Sequence, residues 1–466
     1  MIPTPQVLHK SPYSNINVII MANRPPFTRE ALSEKLFGRV TIGNKPIAHH
    51  IFKQFENCGL RNITLVCLSK DNKEYEDYLA QYTSHNNLNI NLSLLPVDGT
   101  VTTGDIVRKI GADKYTFIFP IDLLTSVNLT QIIDFHISSR SEITVITTKH
   151  GLDKSKSKVP GYMINVRNPY GTRYFVYPEN EPTKLVTLLS DQESLNEDLD
   201  LSLKQTLIDR DSSSESIASS EFSFEESNEG MEIQDIFLRN SKSLIVDSSM
   251  QLTNAYILSP KCVALLKEDV SSGQKIHSIE SELIPYLCRE DVESSQLVNN
   301  HISRRKVAHK ASIYCIGDDN FAFRVTDYAS LFLSNLMCGS QKLKGFTPHG
   351  ENTNGYYVGR DISVHNTFRF LPCNVYGDNL HIPNENVTIQ RSVIGKNCKI
   401  GKGAKITNTV LFEGVTIQEG AELSDCLVES DSVIFAGSKL RQCIVASHFQ
   451  GTKPIKEEKC TVQNKQ

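Results

Sequence analysis

The stretch that decides the fold of the second half of the chain is Ile389–Leu423, IQRSVIGKNCKIGKGAKITNTVLFEGVTIQEGAEL. From Ile389, repeated steps of 5, 6 and 6 residues meet Ile, Leu or Val at each of eleven positions up to Val445. These steps define a repeat of 17 residues. A second register has the same period, at Val393, Val410, Leu427 and Ile444 and at Gly403, Gly420 and Gly437.

This spacing predicts a coil of very short parallel strands. A helix would repeat its apolar positions every three to four residues, and a sandwich strand every two. One inward aliphatic every five or six residues indicates a three-sided coil, with glycine at corners that need an unusual φ. The pattern resembles the hexapeptide-repeat family, which folds as a left-handed parallel β-helix, and an irregular all-β domain is the alternative. We expect the β-helix at 386–450, after a linker and its first turns at 341–385 and before a tail at 451–466.

Some hexapeptide-repeat proteins are acyltransferases, which need a positioned histidine base. The regular coils, 389–445, contain no histidine. His381 and His448 flank the repeat, and we expect both to be surface residues. The repeat therefore predicts no acyl transfer. Because stacked coils leave flat faces and open ends, we expect one face to contact a partner.

The first part of the chain alternates apolar runs with helical patterns. Strands are predicted at 17–22, 62–68, 115–124 and 142–149, and helices at 47–59 and 129–139. Continuous apolar strands between amphipathic helices favour βαβ units and a mostly parallel sheet covered on both faces. We therefore predict an α/β domain over residues 1–340, with a doubly wound, mostly parallel sheet.

Three stretches of this domain resemble the sugar-nucleotide pyrophosphorylases. IGNKPIAHHIFKQFENCGLRNITLVC (42–67) is similar to the segment that follows their phosphate loop. IDLLT (121–125) is similar to their strand-end Asp-Leu, and TTGDIVRKI (102–110) to their next nucleobase-side motif. The resemblance implies a nucleotidyltransferase-like domain followed by a β-helix, which is the architecture of that superfamily.

The phosphate loop departs from the family. Active members carry a glycine-rich loop after the first strand, whose backbone N–H groups point at phosphates. This chain has Asn-Arg-Pro-Pro at 23–26, where Pro25 and Pro26 remove two N–H donors and fix φ. Counting back from the GNKP turn puts Phe37 where the family has a catalytic lysine. Counting back from the TTGD motif puts Thr102 where the family has glycine.

Two residues are vestigial candidates for cofactor binding. Asp122 ends an apolar strand where the active enzymes hold a metal ion, and Lys45 lies in the GNKPI turn. We favour a structural role for both residues. Asp122 caps the following loop, since hard metals usually need more than one carboxylate or a bound phosphate, and Lys45 is a turn residue. His49 and His50 are adjacent on a predicted helix and do not share a face. We therefore predict no catalytic residue, no metal site and no cofactor.

The stretch DRDSSSESIASSEFSFEESNEG (209–230) holds eight serines and seven acidic residues against one basic residue. Such a composition cannot bury a core, so we predict a disordered insert at about 209–231 in the first domain. A solvated insertion is one interpretation of this tract. The other is a phosphoacceptor tract, because Ser212, Ser213 and Ser214 precede Glu215.

The bulk composition excludes several other classes of protein. A formal net charge of −4 gives no reason to expect binding to nucleic acid or to an anionic membrane. No apolar run approaches the roughly twenty residues of a membrane span, and the first residues lack the pattern of a signal peptide. The eleven cysteines show no zinc spacing, so we expect buried thiols in a reducing cytosol.

Three later stretches resemble one particular family within this superfamily. HSIESELIPYLCRED (277–291), CIGDDNFAFRV (315–325) and YASLFLSN (328–335) are similar to the gamma subunits of eukaryotic translation initiation factor 2B. That complex is the guanine-nucleotide exchange factor for the GTPase that delivers initiator tRNA. The resemblance implies a non-catalytic subunit whose partners are the epsilon-type catalytic subunit and the GTPase, initiation factor 2. Epsilon subunits are longer and end in a helical-repeat domain, which we do not expect in 466 residues without Trp.

Two functions of different classes are therefore compared. The first is a regulatory and structural subunit that promotes GDP release by binding its partners. The alternative is a pyrophosphorylase acting on mannose or glucose 1-phosphate, which would need in-line attack on a nucleoside triphosphate with Mg²⁺. The loss of the glycine loop favours the first function.

Overall fold

The computed structural model describes residues 13, 15–22, 37–85, 89–99, 101–110, 114–149, 173–190, 243–267, 275–289, 310–382 and 385–463. The phosphate-loop segment at 23–26 and the serine-rich tract with Ser212, Ser213 and Ser214 lie outside these residues. The predictions made for them therefore stay predictions.

The strands of the first domain are β1 (Ile16–Met21), β2 (Thr41–Ile42), β3 (Lys45–Pro46), β4 (Asn62–Leu68), β5 (Asn91–Val97), β6 (Tyr115–Pro120), β7 (Leu123–Thr125), β8 (Ile143–Thr148), β9 (Arg173–Pro178), β10 (Thr187–Ser190), β11 (Leu244–Asp247), β12 (Gln251–Leu258), β13 (Ala311–Ile316) and β14 (Ala322–Arg324). Seven of them form one sheet in the order β13-β8-β12-β6-β1-β4-β5. Strand β12 runs antiparallel to β6 and β8, and the other neighbouring pairs are parallel. The predicted mostly parallel sheet is confirmed.

The labelled helices of this domain are α1 (Ile47–Asn57), α2 (Asn72–His85), α3 (Thr103–Ile110), α4 (Leu129–Ser139), α5 (Pro260–Lys267) and α6 (Tyr328–Gly339), and residues 284–289 are also helical. Short 3₁₀ turns cover Phe37–Arg39 and Ser69–Asp71, and a π-helical turn covers Ile279–Leu283. Helix α4 and strand β4 have the bounds that the sequence predicts. Asn128 caps the N-terminus of α4 by accepting a hydrogen bond from Thr130 N.

Apolar side chains cover the sheet on both faces. In β1, Val18 and Ile20 point into the core beneath α1 and α2, whereas Ile19 points into the core beneath α3 and α5. This alternation is the two-residue period of a strand. A sheet buried on both faces explains why its strands are continuous apolar runs rather than alternating ones.

One predicted strand is shorter than expected. The sequence predicts a single strand over 115–124, but the structure has a turn at 121–122 that separates β6 from β7. Strand β7 leaves the large sheet and pairs antiparallel with β14, with Leu124 opposite Phe323. The prediction was wrong because uniform apolarity does not mark the point at which a chain changes sheets.

The strands of the second domain are β15 (Glu351–Thr353), β16 (Tyr356–Val358), β17 (Ser363–Val364), β18 (Val375–Tyr376), β19 (His381–Ile382), β20 (Thr388–Gln390), β21 (Val393–Ile394), β22 (Lys399–Ile400), β23 (Lys405–Thr407), β24 (Val410–Leu411), β25 (Thr416–Ile417), β26 (Glu422–Ser424), β27 (Leu427–Val428), β28 (Val433–Ile434), β29 (Lys439–Arg441), β30 (Ile444–Val445), β31 (Lys456–Glu458) and β32 (Thr461–Val462). They form three sheets, β15-β16-β18-β21-β24-β27-β30-β32, β17-β19-β22-β25-β28 and β20-β23-β26-β29-β31. Apart from β15 with β16, the paired strands are parallel. This arrangement confirms the predicted β-helix.

The 17-residue repeat corresponds to one coil. Ile389, Ile406, Leu423 and Leu440 stack in register and are buried inside the coil. One corner of each coil has a left-handed backbone, with φ between 46° and 55° at Arg391, Asn408, Asp425, Gln442 and Lys459. Before this region the spacing is 18 residues, since Val375 pairs with Val393. Strands β31 and β32 extend the stack into 451–466, which we expected to be a tail.

The second register of the repeat has a different role from the first. Val393, Val410, Leu427 and Ile444 point out of the coil and are buried in the core of the first domain. Helix α6 covers this row, and a Cβ on Gly339 would lie 3.7 Å from Val393. The outward apolar row therefore joins the two domains through one continuous core.

Among the described residues, no helix is long and apolar enough to cross a membrane.

Candidate functional site

The carboxyl ends of the parallel strands are where open α/β sheets bind ligands, and Asp122 lies there. It follows β6 and is buried, with a side chain that is 8% exposed. Both carboxylate oxygens accept hydrogen bonds from Arg324 of β14. Nε of Arg324 lies 3.0 Å from Oδ1, and Nη2 lies 2.9 Å from Oδ2. The backbone N of Val325 also donates to Asp122 O, at 2.9 Å.

This geometry decides what Asp122 can do. A divalent cation would take the carboxylate oxygens as ligands, but the guanidinium fork of Arg324 already occupies both of them. The residues present therefore fit an ion pair and do not fit the metal site of the active enzymes. The role of Arg324 could not be predicted from the sequence, because the two residues are 202 positions apart and no local pattern links them.

Lys45 is the other vestigial candidate, and it lies in β3 just after a tight turn. Gly43 and Asn44 form this turn with φ of 57° and 63°. Gly43 N donates to Asn335 Oδ1 at 2.9 Å, and Asn44 Nδ2 donates to Ile394 O at 2.7 Å. The turn thus contacts helix α6 and the β-helix at once. Lys45 is half-buried beside this contact, and burial lowers the pKa of its ammonium.

The segment that would carry a catalytic lysine packs on helix α2. Phe37 opens the 3₁₀ turn Phe37–Arg39. Arg39 Nη1 lies 3.2 Å from Glu74 Oε1, and the guanidinium lies 6.0 Å from the ring centroid of Tyr78. These contacts hold the turn against α2.

The TTGD motif forms the start of helix α3 and bonds to the segment at 275–279. Thr102 Oγ1 donates to Asp105 Oδ2 at 2.7 Å, which closes a hydrogen-bonded loop around the start of α3. Gly104 N donates to His277 O at 2.7 Å, and Thr103 Oγ1 accepts from Ile279 N at 3.1 Å. A glycine at position 102 would lose the first of these bonds. Thr102 therefore has a structural reason to replace the family's glycine.

The adjacent histidines have separate partners, as expected. His49 Nδ1 lies 2.8 Å from the Tyr82 hydroxyl, and His50 Nε2 donates to Ile42 O at 3.0 Å. Burial lowers the pKa of His49 to about 4 and that of His50 to about 3. Across the parts of the chain described above, no group of three or more His, Cys, Asp or Glu side chains could hold a metal ion.

The third sheet of the β-helix has a charged, open face. The outward positions of its third sheet carry Lys405, Glu422 and Lys439, and Glu422 bonds to both lysines at 3.0 and 2.9 Å. Hydrogen bonds from Lys439 and Lys405 lower the pKa of Glu422. Arg441 and Lys456 lie beside this row, around an open groove of about 540 Å³. His381 and His448 are both exposed, as expected.

Two protein-family models match parts of this chain, in the order of its two domains. Residues 26–157 match the model of the nucleotidyl transferase family, and residues 353–452 match the model described as the EIF2B subunit epsilon LbH domain, a left-handed β-helix. A search of curated proteins found no match. The first domain is thus similar to nucleotidyl transferases and the β-helix to that of EIF2B epsilon, and this combination fits the EIF2B-like family.

Proposed function

We propose that this chain is a non-catalytic, gamma-type subunit of an initiation factor 2B complex in the cytosol. Its partners would be the epsilon-type catalytic subunit and the initiation GTPase, whose GDP release the complex promotes. The order of the two domains and the EIF2B match at 353–452 support membership of this family. The gamma type is supported by the sequence resemblance at 277–291, 315–325 and 328–335.

The ion pair of Asp122 with Arg324 is the observation that most supports a non-catalytic function. Nucleotidyl transfer is catalysed mainly by positioning and by cations that neutralise the phosphates. Here the strand-end carboxylate is neutralised by an arginine whose side chain is only 19% exposed. The catalytic site of the active enzymes would need this arginine to leave, which would leave a buried carboxylate unpaired.

The packing of the other motifs supports the same proposal. The GNKPI turn bonds to α6 and to the β-helix, and the TTGD motif bonds to the segment at 275–279. The motifs that resemble those of the active enzymes here hold elements together. Such a domain suits binding better than turnover.

The mechanism of a binding subunit rests on a rigid surface. An exchange factor favours the nucleotide-free GTPase only through contacts that differ between the states of the GTPase. The continuous core between the domains, with the Tyr328 hydroxyl 2.8 Å from the buried Glu429 carboxylate, fixes their relative position. We expect this rigidity to position the catalytic partner relative to the GTPase.

A co-purification tests the partner assignment. Tagged chain expressed at native level should recover a larger protein with the same two domains and an additional C-terminal helical domain. The elongation-stage GTPases of the same cell serve as the control for non-specific capture. Recovery of the chain alone would contradict the proposal.

A second experiment tests the non-catalytic assignment separately. Purified chain with GTP, mannose or glucose 1-phosphate and Mg²⁺ should release no pyrophosphate above the rate without protein. Turnover of about 1 s⁻¹ or more, an ordinary enzyme rate, would establish the pyrophosphorylase alternative instead.

A further inference from the structure

Three cysteines stack at one corner of the last three coils. Cys426, Cys443 and Cys460 are spaced by 17 residues and directly precede β27, β30 and β32. Leu427 N donates to Cys443 O, and Ile444 N donates to Cys460 O, both at 3.0 Å. These backbone bonds hold the three thiols in register.

The last two thiols lie close enough to react. The Sγ atoms of Cys443 and Cys460 are 3.6 Å apart. Neighbouring strands lie about 4.8 Å apart, which is within the range of about 4.4–6.8 Å between the Cα atoms of a disulfide. The sulfurs would need to approach by roughly 1.5 Å to reach bonding distance, which side-chain rotation can supply. The backbone therefore already has the spacing of a cross-link.

The coils that contain Cys443 and Cys460 differ in burial and in stacking. Cys443 is buried, whereas Cys460 is half-buried on the last described coil. Among the residues that the structure describes, that coil stacks on one side, through β31 on β29 and β32 on β30. Its inward register position holds Glu457, which pairs with Leu440 but is exposed. Few buried apolar contacts make this the layer that opens first.

We propose that Cys443 and Cys460 are a hydroperoxide-sensitive dithiol, which closes to a disulfide that fastens the last coil to the one before it. Cys426 lies one coil deeper and is buried between coils on both sides. It therefore has no opening motion of its own and stays a thiol.

The chemistry follows from the stacking. Hydrogen bonding from Cys426 and then from Cys460 lowers the pKa of the Cys443 thiol against the opposing effect of burial, which makes Cys443 the attacking thiol of the pair. When the last coil opens, its thiolate attacks a hydroperoxide and forms a sulfenic acid, and the departing alkoxide takes up a proton to become an alcohol. The Cys460 thiol then attacks the sulfenic sulfur. The S–S bond forms, and the hydroxyl leaves as water with the thiol proton.

The test uses the full chain and an equimolar amount of hydrogen peroxide. We expect the loss of two of the eleven thiols and a tryptic cross-link between 442–456 and 460–465, reversed by a thiol reductant. Cys460→Ser should abolish the cross-link and leave a sulfenic acid at Cys443 that dimedone traps. Cys426→Ser should retain the cross-link, and Cys315→Ser, at an exposed thiol in the first domain, is the matched control.

Protection of the last coil is a second readout that does not depend on thiol counting. Trypsin cleavage after Lys456 and Lys459 should slow in the oxidised chain and stay unchanged in oxidised Cys460→Ser. A dominant cross-link to Cys426, a cross-link between chains, or equal oxidation of Cys315 and the pair would overturn the proposal.

Discussion

Asp122 and Arg324 form a two-pronged ion pair that joins the end of β6 to strand β14. The contact distances are 2.9 to 3.1 Å, and both side chains are largely buried. Because β14 pairs with β7, the arginine is held by backbone hydrogen bonds as well as by the carboxylate. The pair therefore fixes the turn at 121–122, where the chain leaves the large sheet.

Replacing the arginine should destabilise the domain strongly. Arg324→Met leaves the Asp122 carboxylate buried without its partner, and we expect a loss of about 3–5 kcal/mol in the free energy of unfolding. Adding Asp122→Asn removes the unpaired charge and should recover at least about 1.5 kcal/mol of that loss. Urea unfolding of the two variants and the unmodified chain measures both values.

The matched control is an exposed arginine pair. Arg39 and Glu74 have side chains that are 51% and 43% exposed, so Arg39→Met should cost less than about 1 kcal/mol. If Arg324→Met were as mild as Arg39→Met, the ion pair would not be the contact that fixes the turn at 121–122.

The bond between Tyr328 and Glu429 connects the two domains directly. Tyr328 begins α6 and donates to Glu429 Oε1 at 2.8 Å, and Glu429 is 2% exposed. Tyr328→Phe keeps the ring and removes only the hydroxyl, so a buried carboxylate loses one donor. We expect a loss of about 1–3 kcal/mol in unfolding free energy.

Urea unfolding also measures this second prediction, with Tyr314→Phe as the control. Tyr314 lies on β13 with a half-buried ring, away from the domain contact. Its replacement should change stability by less than about 0.5 kcal/mol. Equal effects of the two substitutions would contradict the importance of the domain contact.

The repeat could be predicted from sequence because each coil uses the same local rule. Inward aliphatic residues recur with the coil period, so Ile389 and Ile406 identify the fold without any knowledge of distant contacts. The same periodicity also holds for Val393 and Val410, but these point outward. The sequence shows that the positions are apolar and does not show that helix α6 covers them.

The candidate site was less predictable, because the residues that contact Asp122 and the turn before Lys45 are distant in the sequence. Asp122 and Lys45 were identified from local motifs, whereas Asp122 pairs with Arg324 and the turn before Lys45 bonds to Asn335, both far away in the sequence. A strand-end aspartate looks the same whether it binds a metal or an arginine. The distinction depends on tertiary packing, which no pattern within a few residues records.

The backbone of the TTGD motif has no room for a side chain at Gly104. A Cβ there would lie 2.6 Å from both His277 O and Ile276 O, which are backbone atoms that cannot rotate away. Gly104→Ala should therefore cost about 1–3 kcal/mol despite the better helix propensity of alanine.

Thermal and urea unfolding test this third prediction against a matched glycine. Gly317→Ala places its Cβ where no atom lies within 4 Å, so we expect a change within about 0.5 kcal/mol. A tolerated alanine at position 104 would show that the segment at 275–279 moves freely relative to α3.

His136 makes stability depend on pH. Its Nδ1 lies 2.7 Å from the Thr144 hydroxyl, and its Nε2 is buried without a hydrogen-bond partner among the described residues. Burial lowers its pKa from 6.5 to about 4, so the unfolded chain takes up the proton first. The contribution is complete above about pH 6.5 and is lost as the pH falls towards 4. Between pH 6.5 and 5 this loss amounts to about 1.5 kcal/mol.

His136→Leu should therefore lower the stability at pH 7.5 but flatten its fall below pH 6.5 by that amount, as measured by urea unfolding at each pH. An unchanged slope would mean that His136 titrates normally in the folded chain, and that His49 and His50 account for the pH dependence.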